Sequence, residues 1–227
     1  AQKERQSKKE RSRLSLLEEP DLDVYIRSKN MLVTMIIEAS GHYSTVLNGI
    51  RNSDAAAIRR TDRELSDLIK YTYKLKRNSL RAIRQLGAAD RRSAEVIVHG
   101  ADLIQDMLQS AKFLSAESLQ YIENLHEPLA EGFITTLEDL AVKMDKFFRL
   151  VINELNEEDG PDVPLLRQSR NEIREFINTH FGNELDIIRR KNIGSKQALL
   201  QTSIFLQSRD IQAVLFRICK IYGKFEN

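Results

Sequence analysis

Helical periodicity runs through nearly the whole chain, and it is interrupted at so few points that the interruptions alone set the number of elements. After Pro20 an amphipathic stretch covers about 21–51 and closes at Asn52-Ser53-Asp54. A second covers about 54–86 and stops at Gly87, the residue type that most readily ends a helix; Asp90 then caps a third. In the third, Ile97, Ala101, Ile104, Leu108 and Ala111 recur at alternating spacings of four and three, the pattern of a core-facing side. It is expected to break or bend at Leu114-Ser115 and to resume as far as about His126. Pro128 opens a fourth helix reaching about Asn156, and Glu157-Glu158-Asp159-Gly160-Pro161 is the clearest loop in the chain. A fifth covers about 163–191, Gly194 and Ser195 supply a stop and a cap, and a sixth covers about 195–222.

Long helices joined by short turns lie as antiparallel neighbours. The pattern of lengths repeats after three helices, and matching Asp54 with Asp159 and Asp106 with Asp210 gives an offset of about 104 residues. The expected fold is therefore all-α: two tandem three-helix bundles, elongated because helices of this length span roughly 40–50 Å. The corresponding division is a basic leader at 1–20, a first repeat at 21–114, a bridge at 115–128 and a second repeat at 129–227.

Composition narrows the alternatives. Nine Gly, four Pro and no Trp among 227 residues leave little turn chemistry, which sets aside all-β architectures, and a hydrophobic share of 41% is enough for a packed core. One cysteine, Cys219, allows no internal disulfide or thiolate metal cage and fits a reducing compartment; set among Phe216, Ile218 and Ile221, it reads as a buried, inert thiol. No apolar run approaches the ~20 residues that span a bilayer, so a soluble piece of chain is expected. It begins at Ala1 without an initiator Met, as a fragment or processed product does. The leader carries Lys3, Arg5, Lys8, Lys9, Arg11 and Arg13, which fits either the cytoplasmic end of a preceding transmembrane helix or a solvated polar tail.

Charge is unevenly laid out. Between residues 51 and 92 there are 12 basic and 5 acidic residues, and between 93 and 166 there are 4 basic and 15 acidic ones. Neighbouring stretches of opposite sign favour packing against each other, and no uniform nucleic-acid footprint results. The second helix interleaves Lys70, Lys74, Lys76, Arg77, Arg81 and Arg84 with Tyr71 and Tyr73, a combination that also suits an anionic membrane or single strands. Its bases spread around the helix, and no nucleic acid is expected as a partner.

Few residues suggest chemistry. On a helical wheel His99, Asp102 and Asp106 fall within about 60° of one another, opposite the apolar stripe. They are candidate ligands for one divalent ion (Zn, Fe, Ni or Mg), or an ordinary solvated polar face. Glu38 and His42, four apart on the first helix, are a further candidate pair if that face meets the third helix, or else a local hydrogen bond. His126 and His180 have no carboxylate or Cys at ligand spacing and read as structural. Phosphate-binding, dinucleotide-binding, zinc-protease, nucleophile-elbow and dithiol motifs are all missing from the sequence, so no residue set can be assigned to a reaction and a non-enzyme is expected.

The run Gly100-Ala101-Asp102-Leu103-Ile104-Gln105-Asp106 resembles the Glu/Asp-x-x-x-Asp motif on the third helix of each repeat in PhoU-family proteins. Helix number, helix lengths and the duplication resemble that family too, over about 22–222. Leu103 and Gln105 stand where the family usually has Arg and Gly, and the second-repeat stretch Leu206-Gln207-Ser208-Arg209-Asp210 keeps only the second acid. The resemblance implies a regulator of phosphate uptake with metal associated with these acids. With the basic leader, it looks most like the cytoplasmic C-terminal domain of a bacterial sodium/phosphate cotransporter, at the inner face of the membrane. The implied partners are a phosphate transporter's membrane domain or another protein, with the inner membrane surface and a homodimer as further contacts. The alternative is a helical adaptor binding a protein, an anionic membrane or nucleic acid through its basic segments.

Overall fold

The computed structural model describes residues 24–83, 91–124, 129–157, 160–189 and 195–223. The basic leader, Asp90, His126, Pro128, Asp159 and Gly194 lie outside them. Among the described residues there are six helices and no strand: α1 Val24–Arg51, α2 Ala55–Ile83, α3 Arg91–Asn124, α4 Glu131–Asn156, α5 Val163–Arg189 and α6 Ser195–Gly223.

Side chains at helix ends explain where the elements begin. Asp54 Oδ1 accepts the Ala57 amide at 2.9 Å, and Asp162 Oδ1 accepts the Leu165 amide at 2.9 Å, so both second helices start from an aspartate N-cap. The turn before α2 places Ser53 at φ 53°, and Asp54 donates its amide to the Gly49 carbonyl at 2.8 Å. A Cβ on Gly49 would sit 2.5 Å from Ile58 Cγ1, so α1 and α2 come this close only because residue 49 has no side chain. The α4 entry has no cap of its own, but the Ala130 amide donates to Gln197 Oε1 at 3.0 Å, tying it to α6.

Two sequence expectations are corrected here. The break at Leu114-Ser115 does not occur: α3 is continuous, and residues 115–124 of the expected bridge belong to it. Ser115 and Ser118 are buried within that helix and bond to the carbonyls of Lys112 (2.9 Å) and Leu114 (2.6 Å), so hydroxyls that suggested a stop are satisfied inside the helix. The match of Asp54 to Asp159 is off by three residues, since the equivalent cap is Asp162.

Helices α1, α2 and α3 all pack on one another, as do α4, α5 and α6. The two bundles meet through α3 against α6 and α1 against α4, leaving α2 and α5 on the outside. The apolar residues of both halves join in a single core that includes Ile36, Met107, Phe147, Phe205 and Leu215. Burial repeats between α3 and α6, which begin at Arg91 and Ser195, 104 residues apart. Ile97, Ala101, Ile104, Leu108, Ala111 and Leu114 are all buried, and so are Gln201, Phe205, Ser208, Gln212, Leu215 and Ile218 at that offset. The duplication read from the sequence is thus a duplication of packing register.

Candidate functional site

The face suggested for chemistry lies where α2 packs on α3. Burying Ile58, Leu65, Leu68 and Tyr71 orients α2 so that its bases face outward or toward α3. Across that seam Arg59 pairs with Glu123, Lys76 with Asp102, and Lys112 with Asp62. The opposite charges of neighbouring stretches therefore meet as ion pairs. Gln105 Nε2 donates to Tyr73 Oη at 3.0 Å beside the Asp102 pair, and Ser115 Oγ lies 2.8 Å from Asp62 Oδ1.

Asp102 is thus held by an ammonium group, and His99 and Asp106 on the same helix are exposed. His42 Nδ1 lies 3.6 Å from Glu64 Oε2, so the α1 face carrying His42 meets α2 rather than α3; Glu38, one turn earlier, is half-buried. Among the described residues no three His, Cys, Asp or Glu side chains come together as a metal site. A cation bound at Asp102 would have to displace Lys76 and would find no clustered donors around it. As placed, Asp102, Asp106, His99, Glu38 and His42 do not fit a resident Zn, Fe, Ni or Mg ion.

Cys219 is fully buried, and its thiol is pushed up to about 12 by burial, with the nearby Glu154 charge adding to the shift. It is inert, as its apolar neighbours suggested. His180 Nδ1 lies 2.8 Å from the Phe176 carbonyl and its ring stacks 4.1 Å from the Phe176 ring, which is a structural role.

Sequence reasoning missed the polar groups at the bundle interface. Tyr43 Oη and Ser208 Oγ are 2.7 Å apart, both buried, linking α1 to α6. Burial drives the Tyr43 phenol well above its ordinary value, and the Ser208 hydrogen bond partly offsets this. The Tyr43 ring also packs 5.9 Å from that of Phe148 on α4. Elsewhere along α3, Gly100 lets the helix approach α1 and α6 so closely that a Cβ there would meet Leu32 Cδ1 at 3.0 Å and Tyr222 Oη at 3.2 Å. A repeat alignment at the α3/α6 offset was the one signal that placed Ser208 and Gln212 at core positions.

The fold defines a class: all-α proteins built of two three-helix bundles in tandem. Within it, the chain is similar in structure to PhoU from Pseudomonas aeruginosa, with a TM-score of 0.72 at 13% identity over 86% of this chain and 92% of that one. No protein-family model matches the sequence, and neither does any curated protein. Among the described residues, no helix is long and apolar enough to cross a membrane.

Proposed function

We propose that this chain is a non-enzymatic, PhoU-like regulatory domain of phosphate uptake, acting at the inner face of the membrane as the cytoplasmic part of a sodium/phosphate cotransporter. The observation that carries the proposal is the match to PhoU along nearly the whole of both chains. The motif around Asp102 and Asp106 and the basic leader support it from the sequence side. In this reading the long outer surfaces dock on a membrane-embedded partner, and the buried interface keeps the two bundles in one fixed arrangement. The adaptor alternative is weakened because Arg59, Lys70 and Lys76, basic residues along α2, are already engaged by acids of this chain.

Two measurements test the proposal. Deleting this region from the intact gene should change the uptake of labelled phosphate by cells at fixed external phosphate; unchanged uptake removes the regulatory role. Reading the codons upstream of Ala1 tests the cotransporter context separately: several consecutive apolar spans support it, and their absence leaves a free-standing regulator.

A further inference from the structure

We propose that Arg170 and Arg174 of α5, together with Arg217 of α6, form an oxyanion site that receives a phosphoryl group. Arg170 and Arg174 are one turn apart and therefore neighbours on the same side of α5. The Arg170 guanidinium lies over the Phe216 ring with its carbon 4.9 Å from the ring centroid, which fixes it against α6 next to Arg217. Its Nε is buried and meets no hydrogen-bonding partner. Burial, and then the charges of Arg174 and Arg217, lower the Arg170 pKa from its ordinary value, so both of those cations act on Arg170.

Among the described residues no acid is paired with this charge. Among the described residues none of the three arginines is in an ion pair, whereas Arg51, Arg59, Lys76 and Lys112 of the first bundle all are. The nearest acids on α5 are on another face: Glu172 accepts from Gln168 Nε2 at 3.4 Å, and both it and Glu175 line a shallow surface depression with Arg167. Glu154 of α4 accepts the Asp162 amide at 2.6 Å.

The fold does not require this arrangement either. The second helices begin at Ala55 and Val163, 108 residues apart, so Arg170 occupies the place of Asp62; at the α3/α6 offset Phe216 occupies that of Lys112. Where the first bundle has a closed Asp62–Lys112 pair, the second has three guanidiniums and an aromatic platform. Like charges held together this way destabilise the free protein, and a bound dianion removes that cost. Planar forks with several N–H donors match the geometry of phosphoryl oxygens, and the ring stacking leaves the guanidinium edge of Arg170 available to donate.

The test uses the whole chain at low salt, with inorganic phosphate and pyrophosphate followed by calorimetry, and phosphatidic acid vesicles against phosphatidylcholine vesicles followed by flotation. Saturable binding to one of these probes is expected, and the one that binds names the source: free phosphate or a lipid headgroup. Arg174→Gln with Arg217→Gln, both at exposed positions, should weaken that binding at least about tenfold while leaving the helical circular dichroism unchanged. Arg63→Gln, at an exposed position of α2 in the first bundle, should leave it unaltered. Absence of binding to every probe at millimolar concentration overturns the proposal, as does binding that survives the double substitution or falls equally with Arg63→Gln.

Discussion

Gln212 is fully buried on α6, and neither its Nε2 nor its Oε1 meets a hydrogen-bonding partner. Its counterpart in the first bundle, 104 residues earlier, is Leu108, also fully buried. Replacing Gln212 by Leu keeps the side-chain volume nearly the same and removes two unmet polar groups, each of which costs about 1–3 kcal/mol when desolvated without a partner. Because part of that cost is relieved by local relaxation, the expected net gain is about 2 kcal/mol for Gln212→Leu. In a domain of this size that raises the melting temperature by about 4–8 °C. The reciprocal change, Leu108→Gln, buries an amide where only apolar groups were and should cost about 3 kcal/mol. Urea unfolding followed by far-ultraviolet circular dichroism measures both, provided the denaturant dependence stays constant between variants. A loss of stability in Gln212→Leu would refute the reasoning, since it would mean that the amide makes favourable interactions in solution.

Gly49→Ala should lower stability by about 1–3 kcal/mol, because its Cβ would press on Ile58, a fully buried residue, at 2.5 Å; an unchanged urea midpoint would show that the α1–α2 corner yields freely. Zinc or magnesium should leave the melting temperature unchanged, since Asp102 is bound to Lys76; a metal-dependent rise that disappears in Asp102→Asn would instead establish a site there. Cys219 and Tyr43 both have folded pKa values above their ordinary values of 9.0 and 10.0, so each is protonated in the fold. Their stabilising effect is complete below about pH 9 and falls as the pH climbs toward the folded values. Cys219→Ala should therefore flatten the decline between pH 9 and 10, and an identical pH profile for the variant would contradict the burial of that thiol.

Much of the architecture was open to reading because helix punctuation is local chemistry. Gly, Pro and capping Asp residues act within a turn, so six helices could be counted with their ends misplaced by only a few residues. The error at Leu114-Ser115 has the same origin: a serine reads as a stop unless a neighbouring helix buries it, and burial of Ser115 against Asp62 is a tertiary fact. The candidate metal ligands show the same gap between local pattern and packing. A helical wheel puts His99, Asp102 and Asp106 on one side, but it cannot show that Lys76 arrives from α2 to occupy Asp102.

The arginine cluster stayed hidden because the two repeats do not share one offset. Third helices are 104 residues apart and second helices 108, since 36 residues separate the starts of α2 and α3 but only 32 separate those of α5 and α6. A uniform shift of 104 sets Asp62 against Leu166, a buried apolar residue, and nothing about that pairing draws notice. The aspartate caps correct it: Asp54 answers to Asp162, and Asp62 then answers to Arg170. The slip of four residues is about one helical turn, so helix order and count are insensitive to it while every residue-to-residue partnership changes. Charge divergence between duplicated halves becomes visible only once each helix pair is aligned on its own cap. In this chain that alignment turns an apparently ordinary surface arginine into the replacement for the acid of a half-buried ion pair.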